Sequence, residues 1–430
     1  MALDYSTVVR RRGTAQAKSL AAEICVLGAG IAGVSAAVEA ARLGRKVALV
    51  DGAPQLGGQA VGSMIGTFCG LYCNGRDPRQ VTHGIADEIL ASLRASGDAH
   101  DIIGRRNTCI VQYRVPALMR WVEEAVRQAG VSVVLGAVLR SVRREERRVQ
   151  ALELATRYGD VVVEAGGFID ASGDAALAWN AGLAVREPGA AAIYGTMMFT
   201  LDGVADAALA GLDRARLHAR LEDKANNYGL SRHDGFVFQA PGSGETLVNM
   251  THIETPLDAL EAPRAMLDGR AQIDRLLAFL RAEFPEVFAT ARVRAYGLPG
   301  IRQTRWIVGR HHLSADEVRA GKHFDDAIAR CSWPIEFHDR PEGVVWEEFG
   351  DDHMHYVPFR SLAADETDNL LAAGRCIDAD PVALSSVRVM GPCIAMGAAA
   401  AHALDLAGAG SVHQIDLAAL KARLAHNLEN

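Results

Sequence analysis

Three short stretches late in the sequence carry side chains that could do chemistry. IRQTRWIVGRHH contributes Arg302, PIEFHD contributes His338, and DDHMHYVPFR contributes His353 and His355. An imidazole can remove a proton at neutral pH, and a guanidinium can hold an anion. We therefore predict Arg302, His338 and His355 as catalytic candidates. The alternative for each histidine is a hydrogen-bonded structural role.

The same histidines raise the question of a metal site. If residues 352–356 form a strand, His353 and His355 lie on one face of it. The sequence offers no third ligand at a suitable spacing, and we predict no metal.

A fourth catalytic candidate, Arg388, lies in SSVRVMGPCIAMGAAAA. This stretch predicts an extended segment that stops at Gly391 and Pro392, followed by a helix of very small residues, because proline suits the first turn of a helix. The helix N-terminus would present a partial positive charge, and Arg388 would add a full one. Cys393 would lie in the first turn, where a lowered thiol pKa is expected. For Cys393 we favour packing over catalysis.

A glycine-rich turn near the start of the chain predicts a nucleotide site. Gly28, Gly30 and Gly33 have G-x-G-x-x-G spacing between a short apolar strand and a predicted helix at 34–43, and a second strand ends at Asp51. In such a βαβ unit the glycines allow a tight turn and a close approach of a pyrophosphate to the helix N-terminus. The acidic residue accepts from a ribose hydroxyl, which disfavours NADP.

Three further segments extend this pattern. QLGGQAVGSMIGTFCGLY places a glycine pair after the second strand, FIDASGDAALAWNAG ends a strand in a small-residue turn, and DNLLAAGRCIDAD ends another strand in Gly374 and Arg375. With the glycine-rich turn and the stretch around Arg388, these segments resemble FAD-dependent oxidoreductases whose Rossmann-type FAD domain is glutathione-reductase-like. In that family the last long helix points its N-terminus at the flavin N1–C2=O edge, where it stabilises the reduced anion.

The resemblance implies FAD as the cofactor and an α/β fold, with a mixed α+β substrate domain inserted into the FAD domain. We predict an N-terminal arm at 1–22, a discontinuous FAD domain at 23–186 and 349–425, and a substrate or cap domain at 187–348. The positions expected at FAD are Gly28, Gly30, Ile31, Ala32, Gly33, Asp51, Gly52, Gly57, Gly58, Gln59, Ala171, Ser172, Gly173, Asp174, Gly374, Arg375, Val389, Met390 and Cys393.

The middle of the chain has a different pattern. AIYGTMMFTLDGV predicts a strand with alternating faces, and the stretch from Thr255 to Phe284 predicts one amphipathic helix, or two divided at Pro263. No second G-x-G-x-x-G occurs, so no separate NAD(P)H domain is predicted. This favours reduction of the flavin by the substrate itself.

Composition restricts the partners and the compartment. The 430 residues carry a net charge of −7, which argues against a nucleic acid or an anionic membrane surface. No uninterrupted apolar run is long enough for a membrane span, and no signal-peptide pattern follows the basic triplet at 10–12. Seven scattered cysteines fit reduced thiols in the cytoplasm. Cys69 and Cys73 are a redox pair, or one of them anchors the flavin covalently, or by default they are two packed thiols. Homo-oligomerisation is left open.

The resulting functional hypothesis is oxidation of a small organic substrate, and Arg302 and Arg388 favour an anionic one. A base removes a proton while a hydride passes to flavin N5, and oxygen or an external acceptor reoxidises the flavin. The alternatives are a flavin-dependent monooxygenase and an electron-transfer flavoprotein subunit. Monooxygenases of this family commonly carry Gly-Asp where this chain has Gly374 and Arg375, which counts against them.

Overall fold

The structure is a computed structural model that describes residues 17–104, 107–189 and 193–429. The basic triplet at 10–12, and with it most of the predicted arm, lies outside the described residues. The described end of that arm is not a free segment, because Lys18–Ala21 forms a strand that pairs in parallel with Gly159–Glu164.

A five-stranded parallel sheet forms the centre of the first core. Its order is Leu370–Ala372, Gly167–Asp170, Ile24–Leu27, Val47–Asp51, Ser132–Leu135. The first four strands are almost entirely buried, which explains their continuous apolar sequences. Because all five are parallel, their carboxyl ends meet at one edge of the sheet. The prediction of a Rossmann-type α/β fold is confirmed.

The helix after the first strand spans Ile31–Arg42, and we call it the first helix. It begins three residues before the predicted start at 34, because Gly30 is its N-cap and the small residues Ala32 and Gly33 continue the helical backbone. Gly44 follows its end with φ of +83°, a conformation that suits glycine.

The small-residue helix spans Met390–Ala407, and we call it the final long helix. It packs directly on the first helix: a Cβ at Gly397 would lie 2.1 Å from the Ala32 carbonyl oxygen, and Ser35 Oγ donates to the Ile394 carbonyl at 2.8 Å. Among the described residues it is the one helix apolar and long enough to cross a membrane, but 72% of it is buried in the protein. It is therefore best described as a core helix.

The segment before the final long helix was predicted incorrectly as extended. Pro381–Val387 is a helix, and Arg388 follows it directly as the C-cap. Asp380 is the N-cap and its carboxylate accepts from Ala383 N at 2.7 Å, while Pro381 occupies the first turn. An Asp-Pro pair is a helix-start signal, and the sequence reasoning missed it.

A four-stranded antiparallel sheet forms a second layer, in the order Phe236–Gln239, Thr246–Asn249, Thr196–Asp202, Arg292–Gly300. The strand Thr196–Asp202 has alternating faces as predicted, although both faces are buried up to Leu201. Met197, Phe199 and Leu201 lie in a separate hydrophobic core, whereas Thr196 and Met198 face a large cavity.

The long helix of this region spans Glu261–Glu283 without a break, because Pro263 falls in its first turn, where proline is tolerated. The separate core of this layer draws all its buried residues from 197–291. Residues between Ile307 and Ile335, which were assigned to the cap domain, pack instead in the first core. The domain boundaries themselves stay a prediction.

The other described strands form small sheets around these layers. They are Arg148–Thr156 and Val138–Glu145 beside Gly159–Glu164; Thr67–Phe68, Cys109–Tyr113 and Ala99–Ile103; Val185–Arg186 with Trp306–Ile307; Ala327–Cys331 with His355–Pro358; and Ile335–Phe337 with Val345–Glu347.

The other described α-helices are mostly short. They are Gly58–Gly62, Ile85–Ala95, Val115–Gln128, Ala176–Asn180, Asp206–Ala210, Arg214–Lys224, Pro285–Phe288, Ala315–Arg319, Leu417–Arg423 and Ala425–Leu428. Single 3₁₀ turns occupy Ala225–Tyr228, Phe359–Ser361, Gly374–Cys376 and Val412–Gln414.

Candidate active site

A cavity of about 1280 Å³ lies between the carboxyl edge of the parallel sheet and the antiparallel sheet. Its walls include Gly30 and Asp51 from the first layer and Met198, Phe236 and Asn249 from the second. Pockets for one drug-sized ligand measure roughly 300–1,000 Å³. The cavity is thus large enough for an extended cofactor together with a further small molecule.

The glycine-rich turn forms an open cradle at this cavity. A Cβ at Gly28 would lie 2.2 Å from the Ala171 carbonyl oxygen, and one at Gly33 would lie 1.8 Å from the Gly28 carbonyl oxygen, so both must be glycine for packing. At Gly30, by contrast, a Cβ would meet no atom within 4 Å. The space above Gly30 therefore belongs to the cavity and is free for a ligand to approach the backbone.

The second glycine turn holds this cradle in place. Gly57 and Gly58 have φ of +94° and +50°, and Gly57 N donates to the Ala29 carbonyl at 2.8 Å. A Cβ at Gly58 would lie 2.6 Å from Gly30 Cα. The glycine pair thus allows the backbone to pass directly over the first turn.

Asp51 ends the second strand and faces the same cavity. Its carboxylate accepts from Ala29 N at 2.5 Å and from Ala53 N at 2.7 Å. A carboxylate offers about four acceptor positions, so capacity remains for a ribose hydroxyl.

Two helix N-termini point into the cavity. The first helix and the final long helix have neither a side-chain cap nor an acidic residue in the first turn. Ile31 and Ala32 of the first helix, and Met390 and Cys393 of the final long helix, line the cavity. The first helix presents main-chain N–H groups and about half a positive charge to the cavity. At the final long helix Gly391 N already donates to the Cys69 carbonyl at 3.0 Å and Pro392 has no N–H, so this end acts mainly through its partial positive charge.

Arg375 adds a full positive charge beside the cradle. Its Nη1 is buried without a hydrogen-bond partner among the described residues, and its Nη2 is 3.8 Å from Asp174. A Cβ at Gly173 would lie 2.2 Å from that Nη2, so glycine is needed for the arginine to fit. A buried cation with an unpaired donor is expensive unless an anion completes it.

These residues fit a bound dinucleotide with a second anionic group, and the comparisons agree. A family model described as FAD dependent oxidoreductase matches residues 23–424. The chain belongs to the FAD dependent oxidoreductase family. Its cofactor is FAD, and the cradle, the two helix N-termini and Arg375 are the groups available to hold it.

One solved structure of low sequence identity shares the fold, and two further structures are less similar to the chain. A geranylgeranyl bacteriochlorophyll reductase-like protein from Thermoplasma acidophilum is 14% identical with a TM-score of 0.50, over 94% of this chain and 84% of that one. A p-nitrophenol 4-monooxygenase from Pseudomonas putida is 12% identical with a TM-score of 0.42, over 95% and 80%. A flavin-dependent brominase is 12% identical with a TM-score of 0.45, over 94% and 83%. No curated protein matches the chain.

Most positions expected at FAD face the cavity. Those that line it are Gly28, Gly30, Ile31, Ala32, Asp51, Gly58, Gln59, Ala171, Ser172, Gly173, Asp174, Gly374, Arg375, Val389, Met390 and Cys393. Gly33, Gly52 and Gly57 are not among the lining residues, and the first and last of these support the turns from behind. Contact of any of these residues with FAD stays a prediction.

Arg302 and Arg388 both line the part of the cavity beside the antiparallel sheet. Arg302 donates to the Tyr194 carbonyl at 2.7 Å and to Thr196 Oγ1 at 2.9 Å. Arg388 donates to the Glu336 carbonyl at 3.4 Å, and its Nε is buried without a partner among the described residues. Burial, followed by Arg388, lowers the pKa of Arg302, and burial lowers the pKa of Arg388. Neither guanidinium forms a hydrogen bond with a carboxylate in the described structure, although the nearby Glu336 carboxyl group acts to raise the pKa of both.

The two predicted catalytic histidines are enclosed and do not line the cavity. His338 is 1% exposed and His355 is 0% exposed. His338 lies directly behind Glu336, with its Nε2 3.0 Å from Glu336 Oε1, whereas His355 bonds His353 and Ser386. Direct contact of His355 with substrate or cofactor is therefore not supported, because protein surrounds it on all sides.

His353 and His355 are close, with 3.1 Å between His353 Nε2 and His355 Nδ1. They do not lie on one strand as expected, since the strand begins at His355. No group of three His, Cys, Asp or Glu side chains in the described part of the chain is placed to hold a metal ion.

The cysteines behave as packed thiols. Burial raises the pKa of Cys393 to about 12, so the expected lowering by the helix N-terminus is wrong. Its Sγ donates to the Arg388 carbonyl at 3.1 Å. Cys69 lines the cavity and Cys73 does not, and both are free thiols.

One carboxyl group on the cavity wall, in the same PIEFHD stretch as His338, was not among the predicted catalytic residues. Glu336 lines the cavity, and its Oε2 accepts from Trp333 Nε1 at 3.1 Å. Behind it, His338 Nδ1 lies 2.9 Å from His252 Nε2. The spacing Glu336-x-His338 places both residues at one end of a strand, but nothing in the sequence connects them with His252.

Proposed function

We propose that this protein oxidises a small organic anion, most simply a carboxylate, within the cavity beside Arg302, Arg388 and Glu336. Arg302 and Arg388 carry the proposal, because both face the cavity without a carboxylate partner in the described structure. A substrate carboxylate would compensate both charges and fix its own orientation by charge-assisted hydrogen bonds.

Bound FAD supplies a two-electron acceptor for a hydride. The protein's own residues hold the substrate anion, exclude water from the cavity and offer Glu336 as a proton-exchanging group on the wall. The apolar side chains Met198, Phe236, Phe238 and Trp333 support the proposal that the rest of the substrate is uncharged. Oxygen or an external acceptor then reoxidises the flavin.

The free state of all seven cysteines agrees with a reducing compartment, and we propose the cytoplasm as the place of action.

Binding of benzoate, with uncharged benzamide as its matched partner, tests the anion site. Both compounds are titrated against the FAD-loaded protein while the visible flavin spectrum is recorded. We expect benzoate to bind and benzamide to bind far more weakly. R388Q and R302Q should each weaken benzoate binding by roughly 10- to 100-fold, since hydrogen bonds to charged groups are worth about 1.5–3 kcal/mol.

Arg305 provides the control, because it belongs to the same sequence block but pairs with Glu187 at 2.6 Å and stacks on Trp179 away from the cavity. R305Q should bind benzoate like the natural protein. Equal affinity for benzoate and benzamide, or equal losses in R305Q and R388Q, would contradict an anion site.

A further inference from the structure

A carboxyl group and two imidazoles form a continuous hydrogen-bonded chain that starts at the cavity wall. Glu336 Oε1 lies 3.0 Å from His338 Nε2, His338 Nδ1 lies 2.9 Å from His252 Nε2, and His252 Nδ1 lies 3.0 Å from the Pro341 carbonyl oxygen. Both histidines are 1% exposed. We call these three side chains the Glu336 chain.

The far end of the Glu336 chain fixes where its hydrogens lie. A carbonyl oxygen can only accept, so His252 Nδ1 carries a hydrogen and donates it to Pro341. A neutral His252 then presents a bare Nε2, and the hydrogen between the two rings must belong to His338 Nδ1. A neutral His338 in turn presents a bare Nε2 to Glu336.

The contact between Glu336 and His338 consequently needs a hydrogen of its own. Three contacts require three hydrogens, whereas two neutral imidazoles supply only two. The third lies on the Glu336 carboxyl or, with the same total charge, on His338 Nε2 opposite a carboxylate. At rest the Glu336 chain thus holds one more proton than a carboxylate with two neutral rings.

The surroundings favour release of that proton. Burial and then Arg302 lower the pKa of His338, and burial and then Arg232 lower the pKa of His252. The charged or titratable groups that face the chain are Arg232, Arg302 and Arg388, with Asp234 and Cys69 beyond them. The ring of Tyr194 stacks on His252. Three cations around the chain favour a negative charge on it.

We propose that Glu336 exchanges a proton with the substrate, and that His338 and His252 are positioning residues that keep this proton at the cavity wall. Glu336 is the member of the chain that lines the cavity, so protons enter and leave through it. This inference rests on the proposed oxidation. Before the substrate binds, the chain releases its resting proton to solvent through the open cavity, and the Glu336 carboxylate then takes up a proton from the bound substrate. The substrate's two electrons and second hydrogen leave as a hydride, for which FAD is the acceptor.

The arrangement corresponds to a catalytic base that is oriented by a third group. Here His252 is the third group, because it fixes the tautomer of His338. The order is nevertheless reversed, because here the carboxyl group faces the reaction and the imidazoles lie behind it.

Nitrogen NMR of the FAD-loaded full-length protein with ¹⁵N-labelled histidine tests the proton count without a substrate. Spectra are recorded from about pH 5 to about pH 9, a range that brackets ordinary histidine titration. We expect His252 and His338 to carry hydrogen on Nδ1 throughout, and His338 Nε2 to change in one step as the chain loses its proton. A His338 with hydrogen on Nε2 and none on Nδ1 would overturn the proposal.

Two matched variants assign the step to Glu336. In E336Q the side-chain amide donates to His338 Nε2 at every pH. His252 and His338 should therefore keep their tautomers, and the pH-dependent change at His338 Nε2 should disappear. E347Q makes the same change on the paired strand Val345–Glu347, where Glu347 bonds Arg319, and should keep the step. A step that survives in E336Q would mean that the mobile proton belongs to another group.

H252F gives an independent test that does not rely on E336Q folding. Without His252 Nε2 as an acceptor, His338 should move its hydrogen from Nδ1 to Nε2 and donate to Glu336. A hydrogen that stays on Nδ1 would show that His252 does not set the tautomer. These readouts are separate from benzoate binding, so failure of the anion site and failure of the proton site can be told apart.

Discussion

The described residues include two pairs of hydrogen-bonded histidines, in which every ring is buried except the half-buried His353, and the groups at their ends differ. His338 and His252 connect a carboxyl group on the cavity wall to a backbone carbonyl. His353 and His355 lead to Ser386, which donates its only hydrogen to the Trp333 carbonyl at 2.6 Å. Since Ser386 can then only accept, His355 must carry hydrogen on Nε2, the opposite tautomer to His252.

The comparison shows that burial of a histidine does not by itself indicate catalysis. In both pairs burial is the largest cause that lowers the pKa of the inner ring. The pair at His355 ends on the Ser386 hydroxyl, which donates to the Trp333 carbonyl, and neither these histidines nor Ser386 line the cavity. The pair at His338 ends on a carboxyl group that faces the cavity, so its proton can reach a ligand.

The largest difference between the two histidine pairs should appear in the rate of flavin reduction when Glu336 or Ser386, the group at the end of each pair, is replaced. We expect E336Q to lower the single-turnover rate of flavin reduction by roughly 10²- to 10⁴-fold, the usual contribution of a positioned acid or base. S386A should change this rate only a few-fold, because Ser386 does not line the cavity. The measurement is stopped-flow bleaching of bound FAD by a carboxylate that the binding screen identifies.

S386A should instead destabilise the fold by about 1–3 kcal/mol, the cost of unsatisfied buried polar groups at Trp333 and His355. Urea unfolding of both variants completes the contrast. Equal rate losses in E336Q and S386A would remove the distinction between the two pairs.

The next effect is a pH dependence of stability that comes from His355. Burial lowers its folded pKa to about 3, so the unfolded state binds more protons below its own pKa of about 6.5. The contribution of neutral His355 to the free energy of unfolding is therefore fully present above about pH 6.5 and is lost as the pH falls towards 3. The slope is about 1.4 kcal/mol for each pH unit.

H355Q tests this slope by urea unfolding at several pH values. The glutamine amide keeps a donor towards Ser386 but does not titrate, so the dependence on pH should be shallower by that slope. H100Q removes an exposed histidine on the strand Ala99–Ile103 and should match the natural protein. Identical slopes in H355Q and H100Q would show that His355 titrates normally in the folded state.

A smaller effect should follow from the charges around the Glu336 chain. Arg302 is the first charged group that lowers the pKa of His338. R302Q removes this cation, so the step seen at His338 Nε2 should move to higher pH by about 1 unit. R305Q serves as the control, and the signals of His353 and His355 should not move in either variant. A shift to lower pH would have the wrong sign for this electrostatic account.

The cofactor site was largely predictable from sequence because its determinants are local. Gly28, Gly30 and Asp51 lie within one βαβ unit, where spacing along the chain nearly fixes spacing in space. The helix Pro381–Val387 was missed although Asp380 and Pro381 signalled it. Gly391 and Pro392 also form a helix-start signal, but they belong to the final long helix and not to the helix before it.

The proton-exchanging site was not predictable in the same way. His252 and His338 are separated by 86 positions and come from different layers of the fold. The sequence identifies both His338 and His355 as candidates and gives no reason to prefer one of them. Only the fold shows that His338 lies behind a residue of the cavity wall and His355 does not. The corresponding signal, a carboxyl group two residues before His338, gains meaning only once the cavity is known.

The smallest effect should come from Cys393, and it separates lining the cavity from taking part in the chemistry. Cys393 lines the cavity as Glu336 does, but burial raises its pKa to about 12, so the thiol stays neutral and its hydrogen goes to the Arg388 carbonyl. Because a thiol is a weak donor, C393A should keep the rate of flavin reduction within about 2-fold of the natural protein. A loss comparable with that of E336Q would place the proton-exchanging group at the start of the final long helix, and the Glu336 chain would then be structural.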